Sequence, residues 1–311
     1  MANLVQDGLR YNTKKAYTSA QKFYARFCHQ FSLPLLPASQ DQLLRFIAYA
    51  KQQGLSPATI HVYILGMVSL HHLNGFAPPA TNSYKVKLAI RAINSQPSTS
   101  ASRQPITYDL LHAMVQYLQK LNLCFPWISM VTLGFFGALR GAEYTATQAS
   151  GTISAPLINQ VSFHRASGAW AMNYTIPVTK TTSSPVAVAI GCSGTSVCAV
   201  CSMLSYLNHR QLNSTLHPSS YLFTHGNGRP ITKCQLNQVI KRVVSMLGLS
   251  ASNFTTHSLR SGAASTASAA GFNEHEIQQL GHWTSQAYRT YIKNDYQHRY
   301  DFASRLASYH Q

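Results

Sequence analysis

Four short stretches place a cationic or proton-transferring side chain beside small residues or at a helix start. They are GALRGAE with Arg140, PVTKTTSS with Lys180, HSLRSG with His257 and Arg260, and LGHW with His282, and AYRTYIK with Tyr288 and Tyr291 follows closely. Arginines, a lysine, histidines and a tyrosine together suit a phosphate. A phosphodiester under attack gathers extra negative charge on its non-bridging oxygens, and bidentate guanidinium groups such as Arg140 and Arg260 are the fitting stabilisers. His257 precedes Arg260 by one helical turn, so both can face the same oxygens. A departing alkoxide needs a proton, which Lys180, on a turn between strands, can give as general acid. A tyrosine hydroxyl titrates near ~10 in isolation, and clustered cations favour its phenolate as a nucleophile. The cations already do what a divalent metal does elsewhere, and the few acids do not pair as a two-metal site requires, so neither metal nor cofactor is expected.

The elements that must position these groups fall into two parts. Tyr17, Ala20, Tyr24, Phe27 and Phe31 recur at helical spacing and predict one buried face, with Lys14, Lys15, Lys22 and Arg26 on the opposite face. Further helices are predicted over Gln40–Gln52, from Ser56 as N-cap and Pro57 to a stop at Gly75, and over Tyr84–Ile93, which exposes Lys85, Lys87 and Arg91. SQPSTSASRQ, from Ser95 to Gln104, is rich in Ser and poor in apolar residues and reads as a linker. The expected division is a helical domain over 1–95, a linker over 96–105 and a second domain over 106–311. In the latter, helices are expected over Tyr108–Lys120, Trp127–Phe136, Cys198–Gln211, Thr232–Leu247, Ser258–Ala270, Glu274–Leu280 and Asp295–Ser308. Val161–Phe163, Trp170–Pro177 and Val186–Ile190 predict a small antiparallel sheet. The fold class is mainly α with that one sheet.

Composition narrows the partner. With 25 Lys+Arg against 8 Asp+Glu the formal charge is +17, split as +8 over residues 1–100 and +9 over 101–311. At 45% hydrophobic and 11% charged residues, the chain is neither a disordered basic tail nor a coiled coil. Acids are too scarce to consume the positive charge internally, which favours a polyanion gripped by both parts. The longest apolar run, Phe125–Leu139, is shorter than a bilayer span, so no membrane partner is expected. The N-terminus lacks a secretion signal, which predicts a reducing compartment and free thiols at Cys28, Cys124, Cys192, Cys198, Cys201 and Cys234. Cys198 and Cys201, with Cys192 nearby, form half of a zinc site that no second pair completes, and no metal is predicted there.

The ordered motifs resemble those of the tyrosine recombinases of the phage integrase superfamily over residues 105–295, and the helical N-terminal part is similar to that family's core-binding domain in architecture. The resemblance implies an Arg, Lys, His-x-x-Arg, His and nucleophilic Tyr series at Arg140, Lys180, His257, Arg260, His282 and Tyr291. Tyr291 follows His282 by nine residues, the spacing of the family pattern, and Tyr288, which follows by six, is the competing and less favoured nucleophile. Glu143 would orient a catalytic side chain and Trp283 would pack against His282. GHWTSQAYRTYIK further resembles the Crypton and DIRS-like recombinases of eukaryotic mobile elements, which implies a nuclear location; otherwise the cytoplasm or nucleoid is expected. Cleavage through a 3′-phosphotyrosine, double-stranded DNA as partner, and a homotetramer with a dimer on each site are implied. Asp295–Ser308 would join protomers. A DNA-binding protein that has lost catalysis, and a type IB topoisomerase relaxing DNA as a monomer, are the alternatives.

Overall fold

The computed structural model describes residues 8–9, 11–95, 103–121, 125–149, 152–166, 168–177, 184–213, 216–283 and 285–290. Packing divides the chain into two compact units, Met1–Ser100 and Ala101–Gln311.

The first unit contains α1 (Tyr11–Gln30), α2 (Gln40–Gln52), α3 (Pro57–Leu73) and α4 (Tyr84–Asn94). Ser39, Ser56 and Ser83 cap the last three, each accepting a backbone N–H from the first turn that would otherwise lack a partner. Tyr24, Phe27, Leu43, Phe46, Ile60, Met67 and Val86 fill the core. Ala20, Tyr24 and Phe27 lie on the expected buried face, but Phe31 is 51% exposed. The helix ends at Gln30 and Ser32 turns to a φ of +50°, so the helical period stops before it reaches that ring. Lys15, Lys22, Arg26, Lys85, Lys87 and Arg91 are exposed and Lys14 is half-buried.

In the second unit α5 (Tyr108–Lys120) precedes α6 (Trp127–Phe136), which is buried from Ile128 to Phe135 and forms the centre of the core. The one-turn α7 (Gly141–Tyr144) leads into a hairpin that the sequence did not predict, β1 (Thr147–Ala149) with β2 (Thr152–Ser154). The expected sheet is β3 (Val161–Ala166), β4 (Ala169–Ile176) and β5 (Val186–Gly191), antiparallel in that order, with Met172 opposite Ile190 and Tyr174 opposite Val188 on the core face. Then come α8 (Ala199–Asn213), α9 (Lys233–Met246), α10 (Thr256–Ala269) and α11 (Glu274–Leu280). Both α8 and α10 pack on α6.

The register of α10 matters most for the site. It starts at Thr256 rather than the expected Ser258, because Thr255 supplies the cap by accepting the N–H of His257, and His257 is thereby helical. Gln104, at the end of the expected linker, donates to the Asn253 carbonyl (2.9 Å), and Ile106 donates to the Ser258 carbonyl (2.8 Å). That segment lies so close over α10 that a Cβ on Gly262 would overlap the Ile106 carbonyl. The Gly of HSLRSG is therefore a packing requirement. Lys180, Tyr291 and the expected helix Asp295–Ser308 lie outside the described residues.

Candidate active site

Arg260 is the hub. It is 2% exposed and, among the described residues, the largest of the fully buried side chains. Its guanidinium donates to the carbonyl of Ala138, two residues before Arg140, and to the carbonyl of Gly281 (2.6 Å), immediately before His282. One arginine thus ties the loops that carry two other candidate groups to the helix that carries His257. The Trp283 ring covers it, with the guanidinium carbon 4.1 Å from the ring centroid, a cation–π contact. Trp283 thus packs on Arg260 itself, and a Cβ on Gly281 would overlap its ring. Both loops hold a non-glycine residue in the left-handed region, Ala138 at φ +43° and His282 at φ +50°. Such conformations persist where surroundings enforce them, and they cluster at functional sites.

Arg140 caps the short α7. Its backbone N–H donates to Glu143 Oε2 (2.7 Å) and its side chain donates to Glu143 Oε1 (2.8 Å). The arginine side chain is 30% exposed and that of Glu143 only 8%, so the pair presents the cation and hides the acid. Tyr174 of β4 donates to the Glu143 carbonyl (2.7 Å), anchoring the turn to the sheet. Glu143 therefore orients Arg140.

The two histidines are half-buried. Burial holds His257 below its ordinary range, and the charges of Arg103, Arg260, Lys233 and Arg140 lower it further. Burial also lowers His282, followed by Arg260, with Glu143 opposing and Arg140 adding to the shift. His257, Arg260, His282 and Arg140 are thus one electrostatic cluster. His282 Nε2 is buried without a hydrogen-bond partner, as are the Tyr144 hydroxyl and Thr256 Oγ1.

Arg103 and Lys233 are cations of this cluster that sequence reasoning missed. Ala146 donates to the Ile231 carbonyl (2.8 Å), and this pairing draws the start of α9 against α7, so that a Cβ on Gly141 would lie 3.1 Å from Lys233 Cε. Arg103 falls in the stretch read as linker, and Lys233 sits just after an N-cap with no neighbouring motif. Tyr288 is 2% exposed, donates to Glu274 (2.9 Å) and packs on Trp283. Arg289 also binds Glu274 (2.6 Å).

Residues 175–298 match the phage integrase family. The matched segment lies within the second unit. The match spans the positions of Lys180, His257, Arg260, His282 and Tyr291; Arg140 lies before it and joins the cluster by geometry. Solved structures share the fold. The Tn1549 transposon integrase in complex with transposon right end DNA aligns with TM-score 0.63 at 14% identity, covering 96% of this chain and 95% of that one. XerH site-specific recombinase bound to difH substrate gives 0.62 at 16%, covering 94% and 79%. A lambda integrase dimer bound to a COC′ core site gives 0.60 at 15%, covering 94% and 92%. No curated protein matches the chain. Among the described residues no helix is long and apolar enough to cross a membrane.

Away from the Arg260 cluster, three thiols meet. Cys192 Sγ lies 3.6 Å from both Cys198 Sγ and Cys201 Sγ. Burial pushes the Cys198 thiol up, but the N–H groups of Cys201 and Ser193 outweigh it and bring it to about 7.

Proposed function

We propose that this chain is a site-specific DNA recombinase that cuts and rejoins strands through a covalent tyrosine link. The observation that carries the reading is the convergence of Arg140, His257 and His282 on the buried Arg260. Tyr291 is the nucleophile, because the hydroxyl of its competitor Tyr288 is buried and engaged with Glu274. Its oxygen attacks the phosphorus as its proton passes to His257, an imidazole that burial and four cations favour in the neutral form. The bond from phosphorus to the 5′ oxygen breaks, that oxygen takes a proton from Lys180, and a 3′-phosphotyrosine remains. Arg140, the more exposed guanidinium, meets the non-bridging oxygens, and Arg260 supports them from beneath. A second 5′-hydroxyl then reverses the chemistry. The phosphate bond energy is conserved, so no nucleotide is consumed.

The exposed Lys15, Lys22, Arg26, Lys85, Lys87 and Arg91 of the first unit, with Lys14, would track the backbone of double-stranded DNA. A dimer on each site and a homotetramer across two sites would exchange strands, in the service of a mobile element of the Crypton or DIRS kind acting in a nucleus. A nicked duplex that loses its 5′ end after cleavage tests the reading. Wild-type protein accumulates a covalent DNA adduct, Tyr291→Phe forms none while binding DNA as well, and Tyr288→Phe still forms it. An adduct with Tyr291→Phe removes the nucleophile assignment; relaxation without recombinant product favours a topoisomerase.

A further inference from the structure

The cluster of Cys192, Cys198 and Cys201 stands outside the phosphate chemistry. Cys192 directly follows β5, Cys198 directly precedes α8, and Cys201 lies in the first turn of α8. Their sulfurs all fall within 4.8 Å of one another, and two of the separations are 3.6 Å. A zinc ion holds thiolates at about 2.3 Å in a tetrahedron, which sets its sulfurs about 3.8 Å apart. Two packed thiols also touch near 3.6 Å, and what sets this group apart is that three sulfurs meet mutually within reach of one ion. The Cys198 sulfur also accepts the backbone N–H of Cys201 (3.4 Å), an outer-sphere hydrogen bond of the sort that orients and steadies a metal-bound ligand. Cys198 is buried, Cys192 half-buried and Cys201 exposed, so the cluster is closed on one side and open on the other. Soft sulfur donors select zinc over magnesium or calcium, which take oxygen.

We propose that Cys192, Cys198 and Cys201 bind one zinc ion through three thiolates, with the fourth tetrahedral position open on the Cys201 side. Zinc binding there joins the end of β5 to the start of α8. The other end of β5, Val186, begins six residues after Lys180. A water or another external donor completes the tetrahedron, and the site does not depend on the recombinase reading.

The test uses the full chain, reduced, stripped of metal by a chelator and reloaded with zinc or cobalt. The expected result is one equivalent of zinc retained through gel filtration. Cobalt should give an intense sulfur-to-metal charge-transfer band with tetrahedral visible bands. Cys192→Ser/Cys198→Ser/Cys201→Ser should lose both signals. Cys201→Ser, a change at an exposed position, should keep the wild-type circular dichroism spectrum. It should also weaken zinc binding by more than the roughly 10- to 100-fold that an outer-sphere change costs. Substoichiometric zinc in the wild type, zinc retained by the triple variant, or unchanged affinity in Cys201→Ser would each overturn the proposal.

Discussion

His71 in the first unit and His282 in the second are both enclosed histidines, and their surroundings are opposite. His71 is fully buried, its Nε2 accepts the Ala38 N–H (2.9 Å), and its Nδ1 donates to the Met67 carbonyl (2.8 Å). Those two bonds fix its tautomer and fill its capacity. Gln42 in the same core is engaged likewise, donating to the Tyr24 hydroxyl and the Pro34 carbonyl (2.7 Å each). His282 instead sits on a strained backbone, with an orphaned Nε2 and cations nearby. Among the described residues, the four buried side-chain polar atoms without a partner all belong to the second unit. Tyr144 ends α7, Thr256 opens α10, and His225 lies in neither. An unsatisfied buried polar atom costs about 1–3 kcal/mol, and two of the four, His282 Nε2 and Thr256 Oγ1, lie beside the cations, where the fold gives up stability of its own.

The contrast can be broken hardest at Arg260. Arg260→Ala removes the donor to two buried carbonyls and the cover of Trp283, and should cost about 3 kcal/mol or more in stability by chemical denaturation. Any folded remainder should cleave DNA at least ~100-fold more slowly. Next, paired variants separate the two histidines. His71→Leu should lose about 1–3 kcal/mol of stability and leave cleavage per folded molecule unchanged. His282→Asn keeps a residue tolerant of positive φ, so its melting temperature should stay close to wild type while single-turnover cleavage falls about 10²- to 10⁴-fold. The reverse pattern would erase the distinction. The mildest effect concerns pH. His257 and His282 are lowered in the folded state, so the unfolded chain binds more protons as pH drops below about 6.5, and stability should decline there and be complete above it. His71→Leu should retain that acid loss, and His282→Asn should blunt it.

What the sequence revealed was local. The turn that pairs His257 with Arg260 follows from their separation of three residues, whereas the orienting role of Glu143 came from the family resemblance and its pairing with Arg140 from the structure. The role of Arg260 as a buried hub was not legible, because Ala138 precedes it by 122 residues and nothing near the arginine encodes that contact. Arg103 and Lys233 stayed hidden for the same reason: pairing between Ala146 and Ile231 brings Lys233 to Gly141, and backbone bonds from Gln104 and Ile106 bring residue 103 to α10. Phe31 was misplaced because helical periodicity does not announce where the helix stops. Cys192 was legible as a neighbour of the Cys198–Cys201 pair, but a strand end and a helix start had to converge before the three sulfurs could meet.

The role proposed for Arg140, with Arg260 behind it, is to meet negative charge on a phosphate. Single-turnover cleavage of a duplex carrying a neutral methylphosphonate at the scissile position tests it, comparing wild type with Arg140→Ala. On ordinary DNA the variant should be at least ~100-fold slower, and on the methylphosphonate most of that deficit should vanish, because the oxygen charge that needs the guanidinium is gone. An equal deficit on both substrates would contradict the role given to Arg140.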